Sequence, residues 1–280
     1  MLNNGDGTGS GVINNGNGAL LLNTSATVNN QNHSVISNSG TLTNSSGGVI
    51  NNDVTSTINN LGAFQNSAAT TSNGLINNAG SFQNSGVVQG TGVYSQSAGS
   101  IEVSGTFTQG TLKILGGSFT QTGTSTITGN TSNSGTVSVL ANTMTTNGTF
   151  TNSGNVAVAA GATLNAANYV QLAGLTTLDG GTLDPAAVSL SGGVLAGTGT
   201  VIGNITNDAT VILGNDSTHP GTLSEIGNYI QNVDGTLSES IASALVNGMF
   251  DITGNASLSG TLHINSLVDS HRFRVSFSRS

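Results

Sequence analysis

Along most of this chain the apolar residues stand singly between polar or small neighbours. In Gly62-Ala63-Phe64-Gln65-Asn66 and Gly105-Thr106-Phe107-Thr108-Gln109 one aromatic ring occupies the centre of each short run. Alternation with a period of two places such a residue on the buried side of a short strand. Apolar spacing of 3.6 residues is missing, and Gly, Asn, Ser, Thr and Val are weak helix formers. The pattern therefore predicts an all-β chain of many short strands, each contributing one or two side chains to a thin core.

The pattern repeats. Ile58-Asn59-Asn60-Leu61-Gly62-Ala63-Phe64-Gln65-Asn66-Ser67 returns as Ile76-Asn77-Asn78-Ala79-Gly80-Ser81-Phe82-Gln83-Asn84-Ser85, with eight of ten positions identical at an offset of 18. A looser copy, Ile36 to Ser45, precedes them at an offset of 22. Gly-x-apolar-x-polar relatives recur at Gly105 to Gln109, Gly117 to Gln121 and Gly148 to Asn152. Each unit reads as two short strands joined by a bend. Gly is expected at the corner for its access to positive φ, and the Asn pair after each Ile is expected there for the same reason. A single unit cannot bury its apolar face, so the units must stack, and stacked Asn side chains can then share hydrogen bonds. The expected fold is a right-handed parallel β-helix (a β-solenoid), a single elongated stack of roughly 20-residue coils. Ile58 and Ile76, and Phe64 and Phe82, should lie stacked inside.

Composition sharpens this reading. Charged residues are only 6% of the 280, Gly numbers 41 and Cys is absent, so there is neither a disulfide framework nor a thiolate metal site. Hydrophobic residues at 35% supply a core that a disordered linker would lack. Net charge is −8, and Lys113 is the one cationic Lys or Arg before Arg272. Nucleic acid and anionic lipid surfaces are excluded as partners, because both need basic side chains. No stretch approaches the roughly 18 apolar residues of a membrane span.

The candidate chemistry is sparse. Lyases and hydrolases built on parallel β-helices need clustered carboxylates, or an Arg beside the sugar. Here the twelve acids are scattered, and Asp179 and Asp184 form the nearest plausible pair. His33, His219, His263 and His271 are not spaced as metal ligands. Asn3 to Gly9 has the look of a calcium turn but carries only one carboxylate, Asp6. The rings of Phe64, Phe82, Phe107, Phe119 and Phe150 could form sugar platforms, but their polar flanks assign them to the core. No catalytic, cofactor-binding or metal residue is expected, and the chain is not expected to be an enzyme.

The Ile-Asn-Asn-x-Gly-x-Phe-x-Asn-Ser unit resembles the repeats of filamentous-haemagglutinin-type adhesins. Leu190-Ser191-Gly192-Gly193-Val194-Leu195-Ala196-Gly197-Thr198-Gly199-Thr200-Val201 is similar to the strand repeat of β-helical autotransporter passengers of Gram-negative bacteria. Pro220 to Ser224, Gly227 to Gln231 and Asp251 to Leu262 are similar to the segments that follow it there. A basic tail over 270–280 departs in composition from everything before it and is expected to be disordered. The resemblance, together with shifts in texture along the chain, implies three regions ahead of it: Asn/Gly-rich solenoid repeats over 1–162, the autotransporter-type repeat continuing the solenoid over 163–213, and a C-terminal strand segment over 214–269. It implies a structural or adhesive stalk, extracellular or at the cell surface, with its signal peptide and membrane anchor outside this stretch. Expected partners are host or surface glycans and proteins, and further copies of the chain joined end to end. The alternative is a carbohydrate- or ice-binding solenoid using Thr-x-Thr triplets such as Thr106-Phe107-Thr108 and Thr149-Phe150-Thr151. Against that alternative stand the uneven intervals between triplets, because a lattice binder needs the same triplet on one face in coil after coil.

Overall fold

The computed structural model describes residues 1–5, 9–243 and 245–267. These form a parallel β-solenoid without helix, at about 19 residues per turn. In the N-terminal half each turn supplies three short strands, as in Thr57–Asn60, Ala63–Asn66 and Ala69–Ser72, and further on longer strands such as Thr143–Asn152 run through a corner and serve two faces. Each strand pairs in parallel with the strand one turn on, so three flat faces run along the rod. We call the face carrying Ala69–Ser72 the first, that carrying Thr57–Asn60 the second and that carrying Ala63–Asn66 the third.

Three strands per turn corrects the expected two. The strand that the sequence conceals is Ala69–Ser72, whose inward residues are Thr70 and Ser72. Without a large apolar residue it carries no hydrophobic signal. Its hydroxyls are satisfied inside the rod: Thr70 Oγ1 donates to Asn66 Oδ1, and Ser72 Oγ accepts from Asn52 Nδ2.

The repeat register holds. Ile58 faces Ile76 and Phe64 faces Phe82, one repeat apart in both cases, and all four are buried. The turns lengthen at either end, where Leu2 pairs with Val28 and Thr222 with Met249. The extra residues enter at corners. Near the C-terminal end one corner carries a small antiparallel hairpin between Thr210–Asp216 and His219–Pro220.

Aromatic rings form a column that winds between the faces. Phe64 and Phe82 stack at 4.5 Å, Phe82 continues to Tyr94 at 5.7 Å, and Tyr94 meets Phe107 edge-on at 5.3 Å. The five Phe of the repeats are all buried core residues. Such ring pairs contribute about 0.5–1.5 kcal/mol each beyond area burial.

A second column consists of glycines at the corner between the second and third faces. Gly40, Gly62, Gly80, Gly99 and Gly117 lie one above another, and a Cβ on any later member would collide with the carbonyl oxygen of the glycine one turn earlier. Those carbonyls accept the N–H groups that open the next strand, as Gly62 O does from Ser81. Close approach, and not positive φ, is the requirement at Gly62 and Gly80, whose φ values are ordinary; Gly99 and Gly117 add positive φ to it. Gly80→Ala should therefore lower stability by about 1–3 kcal/mol, the usual cost of overpacking, read by chemical denaturation.

Candidate functional site

The Asn pairs prove to be strand residues. Asn59 and Asn60 close the strand Thr57–Asn60, and neither has positive φ. The strand pleat points Asn59 outward and Asn60 into the core. Inside, the buried Asn that ends each of these strands builds three ladders. They run Asn4–Asn30–Asn52, Asn15–Asn38–Asn60–Asn78–Gln96 and Asn23–Asn44–Asn66–Asn84, each Nδ2 donating to the next side-chain oxygen at 2.6–2.9 Å. The same Nδ2 also donates around the corner to backbone, as Asn38 does to Ala63 O at 2.8 Å and Asn60 to Ser81 O at 2.9 Å. Each amide thus joins two turns and two faces.

The second-face ladder has a terminator. All three tyrosines of the chain lie in Tyr-x-Gln: Tyr94 with Gln96, Tyr169 with Gln171, and Tyr229 with Gln231. In each case the next rung below Gln is apolar, being Ile114, Leu190 and Leu258 respectively. An apolar rung offers no amide oxygen, so the Gln, longer by one methylene, turns its Nε2 to backbone carbonyls. Gln96 donates to Ala98 O, Gln171 to Gly192 O and Gln231 to Thr261 O. The tyrosine hydroxyls hold the Gln oxygens, directly from Tyr94 and Tyr229 at 3.0 Å and through Thr176 from Tyr169. Burial raises the pKa of all three tyrosines, which keeps the hydroxyls protonated as donors.

Among the described residues Glu225 is the one Asp, Glu, His, Lys or Arg buried in an otherwise neutral core. It is fully buried on the first face, between Val201 one turn before and Ile252 one turn after. Oε1 accepts the Ile205 N–H at 3.1 Å, while Oε2 has no partner. Burial, only partly offset by that hydrogen bond, pushes its pKa up to about 7. The alternation in Thr222-Leu223-Ser224-Glu225 places it on the same side as Leu223, a signal that sequence reading passed over because a carboxylate rarely occupies a core slot.

The residues considered for chemistry are separated. Asp179 is exposed at the bend of Leu175–Pro185, while Asp184 lies outward on the first face and accepts from Asn165 Nδ2 at 3.1 Å. No hydrogen bond joins the two carboxylates. His33 occupies a corner at φ 63°, and His263 Nδ1 is 3.4 Å from Ser238 Oγ. His219 has a partner that sequence reading missed, the Asp216 carboxylate at 2.8 Å. Hydrogen bonds from the Thr218 hydroxyl and N–H, together with the His219 ring, hold the Asp216 carboxyl below the usual carboxylate range. This group is exposed at the hairpin tip. Among the described residues no cluster of three His, Cys, Asp or Glu could hold a metal ion, and no helix is long and apolar enough to cross a membrane. Asp6, on which the calcium turn depends, lies outside the described residues, as do His271 and the basic tail.

The outer surface carries repeated polar side chains. Two of its concavities are grooves between stacked Asn side chains, one along Asn29, Asn51 and Thr71 and another along Asn59 and Asn77. Outer amides also form ladders, Asn51 to Asn29 at 2.9 Å, Asn29 to Asn3 at 2.8 Å and Asn77 to Asn59 at 3.0 Å. They donate toward the N-terminal end, opposite to the inner ladders, so the two sets of amide dipoles oppose one another. The arrangement offers repeated neutral donors and acceptors on flat sheets. No protein-family model, curated protein or solved structure matches this chain.

Proposed function

We propose that this chain is the stalk of a secreted or cell-surface bacterial protein, of the kind formed by β-helical autotransporter passengers and filamentous-haemagglutinin-like adhesins. It would act by holding a long, repetitive polar surface away from its attachment point. The observation that carries this reading is the division of labour within the strands: inner positions form stacked amide, aliphatic and aromatic columns, and outer positions are rich in Thr, Ser, Asn and Gln. Stability in such a rod comes from neighbour-to-neighbour stacking, which asks little of the outer positions beyond a few amide ladders. Glycans and proteins of a host or a solid surface are the partners proposed, with further copies of the chain at its ends.

The reading includes the absence of catalysis. Asp179 and Asp184 serve as bend and surface residues, and the buried Glu225 is closed to substrate. The test is display of the chain on a non-adherent bacterium, followed by adhesion to epithelial cells and to abiotic surfaces. Adhesion should rise several-fold over cells displaying no chain, and an unchanged level on every surface would refute the adhesive role. Purified chain should release no reducing ends from pectin. Turnover that is lost in Asp179→Asn or Asp184→Asn would overturn the non-enzymatic part.

A further inference from the structure

Register reveals an order on the first face that sequence intervals obscure. Thr106-Phe107-Thr108 stacks on Thr124-Ser125-Thr126, and that triplet stacks on Thr143-Met144-Thr145. The two sequence intervals are unequal only because one corner is longer than the other. The first Thr column continues below through Thr163, Thr182 and Thr200, while the second passes from Thr145 to Asn165 and Asp184. Thr149-Phe150-Thr151, by contrast, lies on the second face above Asn168 and Val170. The objection that equal triplets do not recur on one face therefore fails for the first face. It holds for the second, where Asn77, Ser95 and Lys113 follow one another outward.

None of the triplet hydroxyls is used by the fold. The hydroxyls of Thr106, Thr108, Thr124, Thr126, Thr143 and Thr145 make no hydrogen bond with another described residue, unlike those of the inward Thr131 and Thr146, which bond to each other at 2.8 Å. Thr is common on strands for its β-branched shape alone, but that preference does not require the same residue at six successive levels of one column. The patch carries no charged residue before Asp184, and no aromatic side chain on which a sugar ring could stack, because the Phe residues point inward.

We infer that this threonine array binds the surface of a water lattice, that is, ice. The inference rests on the solenoid reading and gives the repetitive surface a specific ligand. A parallel sheet repeats every ~4.8 Å across strands, and residues two apart along a strand repeat every ~6.6 Å. Water oxygens joined tetrahedrally at ~2.8 Å repeat every ~4.5 Å between second neighbours and about every 7.4 Å along the perpendicular axis, so a Thr pair centred on that longer repeat is out by about 0.4 Å at each end. Hydroxyls on the array can therefore take lattice positions while the neighbouring methyl groups order water between them. Centred on the middle of three levels, the mismatch across strands is about 0.3 Å at each outer level, within the ~0.5 Å range of O–H···O distances. Matching is best at the middle of the patch, at Thr124 and Thr126.

The experiment is partition of dilute full-length chain into slowly grown polycrystalline ice, beside a non-binding protein of similar size. Thr126→Lys puts a long charged side chain at the centre of the array. Ser138→Lys makes the same change at an outward position of the third face. The unchanged chain and Ser138→Lys should enter ice several-fold above the non-binding protein, and Thr126→Lys should fall to its level. Exclusion of the unchanged chain, with circular dichroism showing β-structure, overturns the inference and leaves the solenoid intact. Loss of the β-signal in the unchanged chain would instead overturn the solenoid reading beneath it. A parallel pull-down on microcrystalline cellulose separates the remaining ligand: retention that depends on Thr126, with exclusion from ice, would refute ice and assign the array to polysaccharide.

Discussion

Asn60→Ala should lower the unfolding free energy by about 3–5 kcal/mol, whereas Asn59→Ala next to it should cost about 0.5 kcal/mol. The two residues are chemically identical and adjacent, so the contrast isolates the direction in which each points. Asn60 accepts from Asn38 Nδ2 at 2.6 Å, and donates to Asn78 Oδ1 at 2.6 Å and to Ser81 O at 2.9 Å. Alanine orphans Asn78 Oδ1 in a dry interior and leaves a cavity the size of the lost amide. An unsatisfied buried polar atom costs about 1–3 kcal/mol, and the cavity adds to it. Asn38 keeps a partial escape, because its Nδ2 also reaches Ala63 O at 2.8 Å. Asn59 only accepts from Asn77 at the solvent-facing surface, where water replaces the lost bond. Urea denaturation of the two variants measures the difference. Equal destabilisation would mean that the inner ladder contributes no more than surface hydrogen bonds do.

The chain itself shows how the ladder can be interrupted without that loss. Ile114 and Leu190 occupy the same inward slot as Asn60, and each follows a Tyr-x-Gln rung that turns its amide to backbone. An apolar rung is tolerated where the rung before it has been adapted. Asn60 is preceded by Asn38 and followed by Asn78, neither of which is adapted in this way.

Much of the fold was legible in the sequence, for a physical reason. Where Ile58, Phe64, Ile76 and Phe82 are large and identical at a fixed offset, the repeat names both the inward residue and its partner. Three features were hidden. The strand Ala69–Ser72 was invisible because its inward Thr70 and Ser72 are polar, so no apolar period marks it. The inward turn of Asn60 and Asn78 was misread because Asn in isolation favours corners, and only a neighbouring Asn in the next coil makes burial favourable. The threonine array is hidden in the sequence because sequence intervals count corner residues, whereas register does not. The Asp216–His219 pair lay within a single short turn and was legible in principle, since Asp readily caps a turn through its own carboxylate.

Glu225 should make this protein lose stability as pH rises from about 4.5 to about 7, opposite to the usual behaviour of a carboxylate held in an ion pair. The folded state pushes the pKa of the group up to about 7, so across that window the folded chain binds more protons than the unfolded one. Each proton lost by the fold is then lost at a cost, and stability falls with pH. Below the window both states are protonated and the group contributes no penalty. Above it the buried carboxylate is ionised with one oxygen unpartnered, and the penalty reaches about 3 kcal/mol. Glu225→Gln keeps the shape and an oxygen for the Ile205 N–H, but cannot ionise. It should match the unchanged chain at pH 4 and exceed it by about 3 kcal/mol at pH 9. Asp216, whose pKa is lowered, acts only at the acid end, where stability is lost as pH falls through its range, and its contribution is common to both proteins. The difference between the two curves therefore reports Glu225 alone. A difference that stays flat from pH 4 to pH 9 would show that the carboxylate reaches water in the folded state, and that the last turns of the rod open around it.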